Sequence, residues 1–97
     1  MNDSDTDQFF YEELKQEFLE QTAIDLKKIL ALYKENKFEE IRKIVHDIKG
    51  TAGSVGLPEG TDIAEELLFA ARERSAEKTK ILIDRLKEYM IENGLEI

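Results

Sequence analysis

Along the first third of the chain, apolar positions fall at steps of three and four. Phe10, Leu14, Phe18, Leu19, Ala23, Leu26, Ile29, Leu30 and Tyr33 recur this way between Phe9 and Tyr33, uninterrupted by Gly or Pro. That spacing predicts one long amphipathic helix. The capping-type residues Asp3, Ser4, Asp5, Thr6 and Asp7 precede it, so residues 1–7 read as a capping or flexible N-terminus. Gln21 and Thr22 mark a place where the helix could bend. Asn36 supplies a stop or short turn. Phe38, Ile41, Val45, Ile48, Ala52 and Val55 then step by 3, 4, 3, 4 and 3, the seam of a second helix widened by Ile44. Leu57-Pro58-Glu59 reads as a break, with Pro58 tolerated in the first turn of a third helix. Ile63, Ala64, Leu67, Leu68 and Ala71 form its stripe. Ser75 is a good N-cap for a fourth helix with Leu82, Leu86, Tyr89 and Met90 on its seam, and Asn93-Gly94 closes it. No stretch alternates with period two. The expected fold is all-α, an antiparallel four-helix bundle with residues 1–97 as one domain and the only histidine on its second helix. A continuous coiled coil would need unbroken heptads, and the breaks near 36, 57 and 75 disfavour it.

Composition narrows what such a bundle can do. The chain has 97 residues, enough for one core, and 14 Lys+Arg against 22 Asp+Glu, for a net charge of −8. That balance disfavours general nucleic-acid binding and docking on anionic lipid. With no Cys, disulfides, thiolate metal sites and cysteine nucleophiles are excluded. No apolar run reaches the roughly 18 residues of a membrane span, and the polar, acidic start is unlike a signal peptide. A cytoplasmic protein, monomeric and without a membrane or nucleic-acid partner, is the expectation.

The chain has one His, and its surroundings are unusual. His46 is rotated about 100° from the core-facing Val45, beside the apolar stripe and at least partly in solvent. Arg42, Lys43 and Lys49 lie within one turn of it, with Gly50 one turn on and Gly53 two turns on. A chain of net negative charge therefore gathers cations around its only imidazole. If the helix runs to Val55, Gly50 and Gly53 lie inside it, where each Gly costs about 0.8–1 kcal/mol relative to Ala. A missing side chain one turn from the ring would let a partner's backbone approach. On position alone His46 is an ordinary surface residue, the cations a solvated face, and Gly50 to Gly60 a loop following a helix that ends at Lys49. GTAGSVGLPEG lacks the Gly-Lys-Ser/Thr ending of a nucleotide-binding loop and follows a helix rather than a strand. One His without Cys cannot build a structural zinc site, and a serine-type triad lacks its context.

The string His46-Asp47-Ile48-Lys49-Gly50-Thr51-Ala52-Gly53-Ser54-Val55-Gly56 resembles the signature of histidine-containing phosphotransfer (HPt) domains: His, any residue, an aliphatic, Lys, Gly, a small hydroxyl residue or Gly, a small residue, and a Gly ten positions after the His. The acidic-apolar first helix, the turn at Asn36-Lys37 and the Ala/Glu/Leu-rich third helix at Asp62 to Arg74 are similar to that family too. The resemblance implies a phosphorelay intermediate in a two-component system, with His46 accepting a phosphoryl group and passing it to or from a receiver-domain aspartate. It implies that Lys49 stabilises the phosphate and that Gly50 leaves room for the receiver loop. Arg42 and Lys43 match no position of that signature; on their charge alone they are expected to add positive potential for the receiver's acidic pocket, and Gly53, Val55 and Leu57 to join the partner-binding surface. Glu65, nineteen positions after His46, matches the spacing of a ring-orienting glutamate in the phosphotransfer domain of chemotaxis histidine kinases, although Asp62 matches only in part. The implied partners are a response-regulator receiver and a histidine or hybrid kinase. No cofactor is expected, any Mg2+ belonging to the receiver, and no ATP site. An excised chemotaxis-type phosphotransfer domain is the alternative, and a non-catalytic helical adaptor the alternative of another class.

Overall fold

The computed structural model describes residues 3–96 and consists, in chain order, of α1 (Asp3–Lys34), α2 (Phe38–Ala52), a short 3-10 turn (Gly53–Val55), α3 (Pro58–Arg72) and α4 (Ala76–Glu92). Among these residues there is no strand. α1 starts at Asp3, so Ser4 to Asp7, expected as caps, have helical backbone, while Met1 and Asn2 lie outside the described residues. The helix also runs unbroken through Gln21 and Thr22. Thr22 is buried there, and its hydroxyl donates to the Phe18 carbonyl at 2.8 Å, which satisfies it without breaking the helix.

The four helical segments end alike. Each closes with paired backbone bonds that use carbonyls the helix itself leaves free, around a residue in the left-handed region: Asn36 (φ 59°), Gly56 (φ 83°), Arg74 (φ 57°) and Gly94 (φ 112°). At the first, Lys37 N–H donates to the Leu32 carbonyl at 2.9 Å and Asn36 N–H to that of Tyr33 at 3.0 Å. The same pattern joins Leu57 to Ala52, Ser75 to Ala70 and Leu95 to Met90. Starts are set locally as well. Ser75 Oγ accepts from Lys78 N–H at 3.3 Å, and Pro58 sits in the first turn of α3, where its missing N–H costs nothing.

Each helix packs on two others: α1 on α2 and α4, α3 on α2 and α4, leaving the pairs α1/α3 and α2/α4 as the diagonals of a four-helix bundle. The predicted seam of α2 is the buried one, with Phe38, Ile41, Val45, Ile48 and Ala52 all in the core. They meet Leu26 and Ile29 of α1, Ala64 and Leu67 of α3, and Ile83, Leu86 and Met90 of α4. Burying each large aliphatic side chain contributes about 1.5–3 kcal/mol. α3 closes on its neighbours at Gly60, where a Cβ would lie 3.2 Å from Tyr89 Cε2 and 3.3 Å from both Ala52 Cβ and Met90 Cε. This close approach locks the far end of α2 against α3, and so sets the register of the groove that holds His46.

α1 is longer than the bundle needs. Its 32 residues span about 48 Å, against about 22 Å for the 15-residue α2 and α3, and the molecule measures 52 × 22 × 19 Å. Phe10 belongs to the predicted apolar stripe yet is 58% exposed, beside Phe9 at 69%, because α1 reaches past the other helices there. No helix among the described residues is long and apolar enough to cross a membrane.

Candidate functional site

Helical geometry places His46 on the flank of α2 that turns toward α3. Its neighbours Val45 and Ile48 are fully in the core, while His46 and Asp47 are exposed. The imidazole opens into a concavity of about 360 Å³ lined by Arg42, Lys43, His46 and Asp47 of α2 and by Leu68 and Arg72 of α3. Leu68 is nearly buried and forms an apolar floor, and three of the lining residues are cations. The negative charge of the chain as a whole is thus reversed locally at its one histidine.

The predicted cations are held differently. Arg42 is engaged by Glu39 one turn earlier: its Nε donates to Oε2 at 3.1 Å and its Nη2 to Oε1. That hydrogen bond is the main reason the Glu39 carboxyl titrates below its ordinary value, and it raises the Arg42 guanidinium in turn. Lys49 is not in the lining of the concavity. Its Nζ lies 4.0 Å from Glu65 Oε1, with both side chains more than a third exposed, a pair worth roughly 0–1 kcal/mol. Glu65 therefore faces Lys49, and among the described residues it makes no hydrogen bond to the His46 ring.

Of the glycines, Gly50 lies within α2 and is exposed, and a Cβ there would meet nothing within 4 Å. Gly53 falls outside the α-helix, which ends at Ala52 and tightens into the 3-10 turn. A Cβ on Gly53 would lie 3.2 Å from Thr61 Oγ1, so its smallness serves the α2–α3 contact. Two expected surface residues prove internal. Val55 is 9% and Leu57 1% exposed, because the turn after α2 folds both side chains back against the core; Leu57 is closed to a partner, and Val55 shows only an edge in a concavity between α1 and α2. Sequence reasoning missed Arg72: it lies 26 residues from His46, and only the register of α3 against α2 brings the two together.

An imidazole presented from the second helix of a four-helix bundle, with cations on both sides of a shallow groove, defines a surface suited to a transferable anionic group. The chain matches the family profile of the Hpt domain over residues 13–93 and belongs to that family. Members carry phosphoryl groups on histidine in phosphorelays, working with receiver domains and histidine kinases, and are phosphocarriers rather than catalysts themselves. Comparison with curated proteins and with solved structures gives no match.

Proposed function

We propose that His46 is the phosphoacceptor of this domain, exchanging a phosphoryl group with a receiver-domain aspartate. The observation that carries the reading is the exposed imidazole in a concavity with cations on both walls. Phosphoryl transfer asks a protein chiefly for positioning and charge stabilisation. In the accepting direction, the lone pair of a neutral ring nitrogen attacks the phosphorus of the aspartyl phosphate. The N–P bond forms, the acyl P–O bond breaks, and the carboxylate leaves with its electron pair. Reversal of the same step returns the group to a receiver. Gly50 leaves the approach to the ring open on this flank, since among the described residues a Cβ there would meet nothing within 4 Å. Lys49, one turn on, offsets the phosphoryl charge from the rim, and Arg42 and Lys43 add positive potential facing the receiver's acidic pocket.

On this reading the chain is a cytoplasmic monomer without an ATP site or resident cofactor, and Mg2+ is held by the receiver. Among the described residues no cluster of three or more His, Asp or Glu could hold a metal ion. The test is incubation of the purified chain with a phosphorylated receiver, or with a hybrid kinase and ATP. Acid-labile label is expected on the wild type and lost in His46→Gln. An unlabelled wild type, or label persisting in His46→Gln, would leave the helical adaptor as the better account.

A further inference from the structure

The cations around His46 are not equally available to a bound anion. Arg42 is engaged twice by Glu39, and Lys49 faces Glu65 outside the concavity. Lys43 is a compact charge on a flexible, exposed stem. Arg72 differs in each respect. It projects from α3, across the groove from His46, and lines the same concavity. It has no carboxylate within 4.0 Å among the described residues. Its guanidinium carbon lies 5.6 Å from the centroid of the Phe69 ring, a contact that steadies an exposed cation while leaving its N–H donors free. The nearly buried Leu68 beside it displaces water from the floor, which strengthens any charge-assisted bond made there.

We infer that Arg72 is the phosphoryl-binding residue of this domain, gripping the group carried by His46 with two N–H donors from the α3 wall. A guanidinium fork matches two phosphate oxygens in a way that an ammonium cannot. The inference rests on the phosphoacceptor reading of His46 and deepens it. Arg72 closes the site from the second wall, while Lys49 adds its charge from the rim, outside the concavity. Because the grip is made only when His46 is phosphorylated, it stabilises the loaded carrier and shifts the phosphoryl equilibrium toward it.

Phosphoramidate, a small donor that needs no protein partner, tests this directly. Its own N–P bond breaks as the ring N–P bond forms, and ammonia leaves. The phosphohistidine 31P resonance is followed in wild type, Arg72→Gln, Arg72→Lys, Arg85→Gln and His46→Gln. Arg85 carries the same charge but pairs with Glu66 between α3 and α4 at 2.9 Å, so it controls for net charge. Arg72→Gln is expected to lower both the rate of appearance and the final loaded fraction about 3- to 10-fold, a charge-assisted bond discounted for solvent exposure. Arg72→Lys recovers part of the loss, and Arg85→Gln behaves as wild type. Because Arg72 is exposed, all variants should melt together. A resonance unchanged in Arg72→Gln, or an equal loss in Arg85→Gln, overturns the assignment of Arg72 alone. A wild type without the resonance, or His46→Gln retaining it, overturns the phosphoacceptor reading itself.

Discussion

Gly50→Ala should make this protein more stable and less able to exchange phosphoryl groups. Gly50 lies within α2 with ordinary helical backbone, and a Cβ there meets nothing within 4 Å. Nothing among the described residues requires a glycine there. Replacing it removes the propensity penalty and narrows the unfolded ensemble, together worth about 0.5–1 kcal/mol so near a helix end. For a domain of this size that raises the melting temperature by roughly 2–8 °C. The same methyl stands one turn from His46 on the same flank. If a receiver loop fills that space, a misfit of one methyl costs about 1–3 kcal/mol, so transfer at subsaturating receiver slows about fivefold or more. Gly50→Leu should slow it further. Thermal melts monitored by circular dichroism and rapid-quench transfer from a phosphorylated receiver measure the two effects on one sample. Transfer at the wild-type rate in a stabilised Gly50→Ala would refute the idea that the glycine is kept open for a partner. A loss of stability would refute the reading of that space as empty.

Lys49→Ala should slow transfer with a change in unfolding free energy of about 0–1 kcal/mol, since Lys49 is a third exposed and its pair with Glu65 spans 4.0 Å; equal rates would remove its phosphate-stabilising role. Thr79 is fully buried, and its hydroxyl has no hydrogen-bond partner among the described residues. Thr79→Val, nearly the same shape, should therefore stabilise by about 1 kcal/mol, seen as a higher urea midpoint at unchanged slope; a lower midpoint would mean that the hydroxyl is satisfied. The Glu39 carboxyl is held below the ordinary glutamate value, chiefly by its hydrogen bond from Arg42. Its contribution to stability is thus fully present above the ordinary glutamate value and is lost as pH falls through the lowered folded value. NMR titration of the Glu39 side chain should show a midpoint that rises in Arg42→Gln, and an unmoved midpoint would contradict the pairing.

Much of the architecture was legible because its causes are local. Ser75, Pro58, Asn36 and Gly94 each act through their own backbone geometry within a few residues, so the starts and stops of helices followed from residue type. Arg74 escaped notice for the opposite reason. Arginine carries no left-handed preference, and its φ of 57° is imposed by the need to end α3 and cap α4 within three residues. Phe10 misled because periodicity reports an apolar face without reporting whether a neighbouring helix reaches far enough to cover it.

The chemistry divides along the same line. Helical periodicity and the sequence around His46 were enough to put a lone imidazole beside the core stripe of α2 with cations one turn away, because residues three and four apart share a face whatever the rest of the fold does. What faces that imidazole from the other wall depends on how α3 settles against α2, and the close approach at Gly60 decides it. That packing brings Arg72 and Leu68 to the histidine and turns Glu65 toward Lys49. Contacts between helices are set by side-chain volumes meeting across a groove, and no spacing along one chain segment encodes them.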